Sequence, residues 1–233
     1  MKLLSLASAC VALVLLATAA QAHFVWVYTA ADSTGKLVPH ISFGEGTGPS
    51  EVDLLDNVKQ TKAWLQKAGQ KPQALTLTKQ AGEELGSWVA DVDAQGAVVF
   101  ATCDYGVIER GGKALLLQYY AKKLDATPEQ LKTLGRTEQL PLDVVPTLAG
   151  DQCQLTVLWQ GKPAANSEVT IEKKGGKAEK LTADAEGRLS FKTSGAGEYS
   201  IRAKHVEADK TGEREGKAYT SASHYSTLTL NIQ

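Results

Sequence analysis

The sequence predicts a mainly β protein with two β-sandwich-like domains, the N-terminal one carrying one or two short helices. Short runs of β-branched and aromatic residues recur between clusters of Gly, Asp and Glu, which is typical of sandwiches. After residues 146–150, apolar and polar residues alternate cleanly, as in strands with one buried face. With 43% hydrophobic and 22% charged residues in 233, wholesale disorder and collagen are excluded.

Residues 1–22 have the pattern of a secretory signal peptide. Lys2 supplies the basic start, residues 3–20 carry no charge, and the segment ends on Ala20-Gln21-Ala22, a small-x-small cleavage site. A transmembrane anchor is the alternative, because the apolar stretch is about long enough to span a bilayer. We expect cleavage after Ala22 and a periplasmic or secreted protein without a lipid anchor.

Residues 23–146 are expected to form the N-terminal β-rich domain. The run that begins at His23 predicts a strand buried on both faces. Ser50 resembles an N-cap before Leu residues at helical spacing, which predicts a helix over about 51–68. A second helix is expected over 128–134, with a Thr cap before it, Pro in its first turn and Gly after its end.

Residues 147–233 predict an antiparallel sandwich in the C-terminal half. Strand after strand places its apolar side chains on one face, at a period of two. The residues expected to point inward are Leu155, Val157, Trp159, Val169, Ile171, Leu189, Phe191, Tyr199, Ile201, Ala203, Leu228, Leu230 and Ile232.

Two cysteines remain after Cys10 leaves with the signal peptide. In an oxidising compartment, Cys103 and Cys153 are expected to form one disulfide. Two other interpretations stay open: a thiolate metal ligand, or two free buried thiols.

No nucleotide-binding, hydrolase-triad or Cys-x-x-Cys motif is present, and a net charge of −1 gives no general attraction to nucleic acid. The chemistry therefore centres on the four histidines. His23 would become the first residue after cleavage, so its α-amine and imidazole Nδ1 could chelate one cation. A further imidazole would complete a planar three-nitrogen site, a histidine brace, which suits Cu(II) best and Ni(II) next.

His205 and His224 are the expected partners of His23. Each is in phase with the inward-facing residues of its strand, and both lie beside the charged loop 210–217. Antiparallel neighbours there would bring the two rings close together, and packing of the His23 strand against that edge would make all three converge. The alternative is that each is a hydrogen-bonded structural residue. His40 is a further candidate ligand, with a strand residue bonded to a loop as its alternative.

Several segments together resemble an exported bacterial family of largely uncharacterised proteins labelled as nickel/cobalt uptake periplasmic components. The segments are His23-Phe24-Val25-Trp26, Ser42-Phe43-Gly44-Glu45, Cys103-Asp104-Tyr105-Gly106, Leu142-Asp143-Val144-Val145-Pro146, Gln160-Gly161-Lys162-Pro163-Ala164 and the ending from His224. The C-terminal half is similar to the carboxypeptidase-regulatory, transthyretin-like β-sandwich module. The resemblance implies a periplasmic protein that handles a transition metal, with His23, His205 and His224 as its ligands.

The leading hypothesis is a carrier or accessory protein for Cu(II) or Ni(II), with a membrane metal transporter as a candidate partner and no catalytic residues. A structural or partner-binding β-sandwich protein that holds no metal is the alternative. A copper-dependent oxidase resembling the lytic polysaccharide monooxygenases, which also start with His, is a third hypothesis.

Overall fold

The computed structural model describes residues 23–233. The prediction of a mainly β fold is confirmed, because 59% of residues 23–233 are in strands and 7% are in helices, in several sheets with two short α-helices. Within residues 23–233, no helix is long and apolar enough to cross a membrane. The expected signal peptide and its cleavage site at Ala22 lie outside the described residues.

The strands follow one another along the chain with only short helical interruptions. The N-terminal half contains β1 (Phe24–Ala31), β2 (Leu37–Gly44), β3 (Ser50–Glu51), α1 (Val52–Leu55), β4 (Lys62–Lys67), β5 (Gln73–Leu75), β6 (Thr78–Ala81), β7 (Leu85–Val89), β8 (Ala97–Arg110), β9 (Lys113–Ala126) and α2 (Pro128–Leu134). The C-terminal half contains β10 (Leu142–Ala149), β11 (Gln152–Trp159), β12 (Lys162–Pro163), β13 (Glu168–Lys173), β14 (Glu179–Thr182), β15 (Arg188–Lys192), β16 (Gly197–Glu207), β17 (Gly212–Arg214), β18 (Lys217–Tyr219) and β19 (Ala222–Ile232).

One eight-stranded sheet, which we call the central sheet, runs through both halves of the chain. Its order is β14-β13-β16-β19-β9-β8-β4-β5. The strand β19 pairs antiparallel with β16 and parallel with β9, so the sheet crosses the predicted domain boundary at residue 146. The two halves of the chain therefore share a sheet.

Each face of the central sheet supports its own apolar core. On one face lies the C-terminal core, shared with the sheet formed by β10, β11, β12 and β15. On the other lies the N-terminal core, shared with the sheet that contains β1 and β2. Consecutive residues alternate between the cores, as strand geometry requires: Val99 belongs to the N-terminal core and Phe100 to the C-terminal core. This alternation decides which side chains can meet.

The period-two pattern of the C-terminal half correctly predicted its buried face. All thirteen inward-facing positions are in or against the C-terminal core, with Trp159 and Ile232 only partly buried. The pattern succeeds here because one face of each strand is apolar and the other is solvated.

The second predicted helix is confirmed as α2, and its ends are set by local chemistry. The hydroxyl of Thr127 accepts a hydrogen bond from the Gln130 backbone N–H, and the Gln130 side chain accepts one from the Thr127 N–H. This reciprocal pair satisfies donors that the first turn of any helix leaves free. Gly135 ends the helix.

The first predicted helix, over 51–68, is wrong for most of its length. Only α1 and a 3₁₀ turn at Asp56–Val58 are helical, and β4 follows. In β4, Ala63 and Leu65 are buried between half-exposed or exposed neighbours, a period of two. Tertiary pairing with β8 thus overrides the helical spacing. The Ser50 hydroxyl accepts the Phe43 N–H instead of capping a helix.

The expected disulfide is wrong, and both cysteines are free and buried. Cys103 belongs to the N-terminal core and Cys153 to the C-terminal core, so the central sheet lies between them. Burial raises the pKa of the Cys103 thiol to about 11 and that of Cys153 to about 12. Neither is therefore a thiolate near neutral pH, which disfavours ligation by these residues.

A buried ion pair ties α2 to the sheets. The Lys122 ammonium, only 1% exposed, pairs with Asp143 and donates to the Gly135 carbonyl, 2.6 Å away. The other Asp143 oxygen accepts the Thr137 N–H at 2.7 Å. Because every charge in this group has a partner, the cost of burying it is largely offset.

Candidate functional site

The structure brings His205 and His224 together. They are directly opposite each other on β16 and β19, with ring centroids 6.2 Å apart. Trp159 of β11 covers both rings, with centroid distances of 4.6 Å to His205 and 4.3 Å to His224. The predicted antiparallel neighbour pair is therefore present, as part of an aromatic stack on the C-terminal core.

Both ring nitrogens of His224 are occupied by protein partners. Its Nδ1 is 3.2 Å from the Tyr120 hydroxyl and its Nε2 is 3.1 Å from a Glu207 carboxylate oxygen. The Tyr120 hydroxyl also donates to the side-chain oxygen of Gln118 at 3.2 Å, and a protonated Nε2 of His224 donates to the Glu207 carboxylate. Burial lowers the pKa of His224, with Glu207 opposing the shift, and burial likewise lowers the pKa of His205. His224 thus has no nitrogen free for a cation in this arrangement.

His23 lies on the opposite face of the central sheet. Its backbone carbonyl accepts a hydrogen bond from the Tyr119 hydroxyl at 3.2 Å, and its ring packs on Phe43, 5.7 Å between centroids. Tyr119 belongs to the N-terminal core, whereas its neighbour Tyr120, which contacts His224, belongs to the C-terminal core. The expected convergence of three histidines is therefore absent, because the sheet separates His23 from the pair.

His40 has the surroundings of a structural residue. Its Nδ1 is 2.8 Å from the Ser87 hydroxyl, and its ring stacks on Tyr28 with centroids 5.0 Å apart. Burial lowers its pKa. Across the described part of the chain, no three His, Cys, Asp or Glu side chains form a group that could hold a metal ion.

His23 lines a cavity of about 370 Å³, which we call the amino-terminal cleft. Besides His23, its wall combines aromatic, aliphatic and polar side chains. The aromatic ones are Phe24, Phe43, Tyr105, Tyr119 and Tyr225, the aliphatic ones are Leu54, Ile108, Leu115 and Leu117, and the polar ones are Asn57, Glu109, Arg110 and Ser223. This volume lies within the range of roughly 300–1,000 Å³ that small-molecule sites occupy. Burial raises the pKa of Tyr105 and Tyr119, so both phenols remain protonated hydrogen-bond donors near neutral pH.

Sequence reasoning missed this cleft, although its signal was partly visible. The sequence marks Tyr105 and Tyr225 only as members of two family segments, Cys103–Gly106 and the ending from His224, and it does not single out Tyr119. Tyr119 and Tyr225 are direct partners across the parallel β9–β19 pair, with ring centroids 6.0 Å apart. They lie far apart in sequence, so period-two alternation places each on a face and does not reveal that they meet.

Fold and site together define a class: a layered β protein with a cleft lined by aromatic residues on one face of its central sheet. A family model described as a domain of unknown function, DUF4198, matches residues 20–207, and the chain belongs to that family. The match spans residue 146, so it covers strands of both halves.

The other two comparisons are with curated proteins and with solved structures. No curated protein matches the sequence. A pullulanase type I from Bacillus subtilis str. 168, in complex with maltose, is 9% identical over 86% of this chain and 26% of its own, with a TM-score of 0.21. A biofilm-associated protein BSP domain is 10% identical over 88% of this chain and 29% of its own, also at 0.21. This chain spans less than a third of either structure, and TM-scores this low carry no argument.

Proposed function

We propose that the chain, once cleaved after Ala22, is an exported carrier that binds Cu(II) or Ni(II) through His23. The observation that supports this most is the position of His23, half-buried in the wall of the amino-terminal cleft with its carbonyl held by Tyr119. Cleavage would place a free α-amine on the residue whose imidazole already lies there.

The ligand set proposed here has two nitrogens from the protein. An α-amine has a pKa near 8, so a metal ion displaces its proton at neutral pH. Amine and Nδ1 then bind one ion in a chelate ring, and tetragonal nitrogen ligation favours Cu(II) over Ni(II). We leave His205 and His224 out of the set because they face the opposite core.

A two-nitrogen site leaves coordination positions to water, to a donor brought in with the metal, or to oxygens of the cleft such as that of Asn57. An ion held in this way exchanges more readily than one enclosed by four protein ligands. This favours delivery to a partner, for example a membrane metal transporter, over permanent storage.

The test is calorimetric titration of Cu(II) and Ni(II) into protein whose first residue mass spectrometry identifies as His23. The comparison protein carries one N-acetylated Ala before His23, which removes the free α-amine and leaves every side chain in place. We expect one-to-one binding that weakens by at least about tenfold in the comparison protein, equivalent to about 1.4 kcal/mol.

Two substitutions separate this proposal from its alternatives. His23→Ala should lose binding, whereas His40→Ala, at a half-buried histidine on the neighbouring strand, should keep it. Equal affinity with and without the added residue would reject the amine as a ligand. Loss of metal binding in His205→Ala alone would place the metal site at His205 and His224. If the unsubstituted protein binds neither metal, the structural or partner-binding alternative is favoured.

A further inference from the structure

A second cavity, of about 270 Å³, adjoins the amino-terminal cleft. The two cavities share Phe24, Arg110 and Tyr225 in their walls. We call the second the cationic groove, because its wall also contains Lys180, Arg202 and Lys204. His23 does not line it, so ligand binding in the groove can be measured separately from metal binding at His23.

Strand pairing places Lys180, Arg202 and Lys204 on one face of the central sheet. Lys180 and Arg202 both lie opposite Thr170, so these three residues form one row across β14, β13 and β16. Lys204 lies two residues beyond Arg202 on β16 and opposite Tyr225 of β19. Residues directly opposite each other, or two apart on one strand, point to the same side of a sheet. The three cations therefore share the face that carries the N-terminal core.

Arg202 is held in place by an aromatic ring. Its guanidinium carbon is 4.0 Å from the ring centroid of Phe24, a residue only 4% exposed. The side chain is half-buried, and stacking of this kind restrains the guanidinium plane. A planar, restrained guanidinium presents several N–H donors in fixed geometry, which suits paired oxygen acceptors.

The charges of the groove are unbalanced. Four cations line it, and Glu168 is the one carboxylate in its wall. Glu172, on the same strand, also acts on Arg202. Among residues 23–233, none of the four cations forms a salt bridge with a carboxylate. Concave surfaces lined with one sign of charge concentrate counter-ions of the opposite sign.

We propose that the cationic groove is a binding site for a small multivalent oxyanion, either a polycarboxylate or a phosphate. Arg202 would take two oxygens of the anion, and Lys204 with Lys180 would neutralise its remaining charge. The volume limits the ligand to a small molecule. The aromatic residues shared with the amino-terminal cleft allow an organic body to continue into that cleft.

The experiment is calorimetric titration of citrate and, separately, inorganic phosphate into metal-free protein at fixed ionic strength. The test variant is Arg202→Gln with Lys204→Gln, and the matched control is Lys177→Gln with Lys217→Gln, which removes the same charge at exposed positions outside the groove. We expect the test variant to bind at least about tenfold more weakly and the control to bind like the wild type. Arg202→Lys should bind with intermediate affinity, because it keeps the charge and loses the planar fork.

The outcomes are distinct. Tighter binding of citrate identifies an organic polycarboxylate as the ligand class, and tighter binding of phosphate identifies phosphate. No binding of either anion, or equal loss in test and control variants, overturns the proposal. If circular dichroism shows that a variant with Arg202→Gln is unfolded, the double variant Lys180→Gln with Lys204→Gln replaces it. Lys180 is exposed and Lys204 is half-exposed, and the same loss of anion binding is expected. His23→Ala should leave anion binding unchanged, which separates this result from the metal test.

Discussion

The two faces of the central sheet differ in the polar groups that they leave open to a ligand. On the face of the C-terminal core, the buried Lys122 ammonium is paired with Asp143, and His224 has a protein partner at each ring nitrogen. The face of the N-terminal core also buries a paired lysine, Lys123 with Asp125, but there His23 and Arg202 lie in the walls of cavities. Lys122 and His224 are thus satisfied within the protein, whereas His23 and Arg202 remain available to a ligand.

This difference separates stability from binding within one sheet. A buried group whose partners come from the protein stabilises the fold and has little capacity left for a ligand. A half-buried group without such partners contributes less to stability and keeps its capacity to bind a ligand. The sequence-based site hypothesis placed ligands on both faces, which a sheet between them does not allow.

The largest effect is expected from Asp143→Asn on the C-terminal face. The substitution keeps the side-chain shape and leaves the Lys122 ammonium buried without its counter-charge. We expect the free energy of unfolding to fall by about 3–5 kcal/mol, measured by urea denaturation. Asp91→Asn, at an exposed surface pair with Lys36, is the control and should leave the urea midpoint unchanged. Equal midpoints for both variants would show that burial of the pair is immaterial.

A smaller loss is expected from Thr227→Val on the N-terminal face. The Thr227 hydroxyl donates to the Val25 carbonyl at 2.7 Å and so ties β1 to the sheet. Removing it should cost about 1–3 kcal/mol of unfolding free energy and speed hydrogen exchange in β1. Thr229→Val is a close control, because the buried Thr229 hydroxyl has no hydrogen-bond partner among the described residues. The free energy of unfolding of Thr229→Val should be unchanged or higher. Similar losses of unfolding free energy in both variants would show that the hydrogen bond from Thr227 to Val25 does not stabilise β1.

The next effect concerns pH and His224. Burial lowers its pKa from the ordinary 6.5, with Glu207 opposing the shift and His205 and Lys210 adding to it. The unfolded chain therefore binds a proton first, and stability should fall as pH decreases below about 6.5, by at most about 1.4 kcal/mol per pH unit for one histidine. In His224→Gln the fall between pH 6.5 and 5 should be shallower. If the free energies of unfolding of the wild type and of His224→Gln fall in parallel with pH, the pH dependence comes from a group other than His224.

The smallest difference is expected between the two thiols. Cys103 and Cys153 are buried on opposite faces, and the shared sheet should make both cores open together. In sub-denaturing urea, a thiol reagent should therefore label both at rates equal within about twofold. Mass spectrometry of the peptides would measure this. Labelling of one long before the other would show that the two faces unfold separately.

Local chemistry was sufficient for some elements. The helix α2 follows from Thr127, Pro128 and Gln130 alone, since capping is decided within one turn. The inward-facing residues of the C-terminal half follow from alternation. The pairing of His205 with His224 was also predicted from their phase on neighbouring strands.

Long-range pairing explains what the sequence did not reveal. Leu54, Leu55, Val58 and Leu65 have helical spacing, yet pairing of β4 with β8 makes the last of them a strand residue. The parallel pairing of β19 with β9 joins segments about a hundred residues apart, and nothing local encodes it. The amino-terminal cleft depends on that pairing, because it brings Tyr225 to Tyr119. The cationic groove likewise depends on the row that aligns Lys180 with Arg202 across β13.

The place of β19 in the chain also sets when folding can finish. This strand is the last one described, yet it lies between β16 and β9 and contributes side chains to both cores. Ribosomes add about 5–20 residues per second, so for tens of seconds the growing chain lacks the strand that joins its two halves. Neither core is complete until residues 222–232 have been made. Because both cores use this strand, neither half can finish folding ahead of the other, and both wait for the same eleven residues.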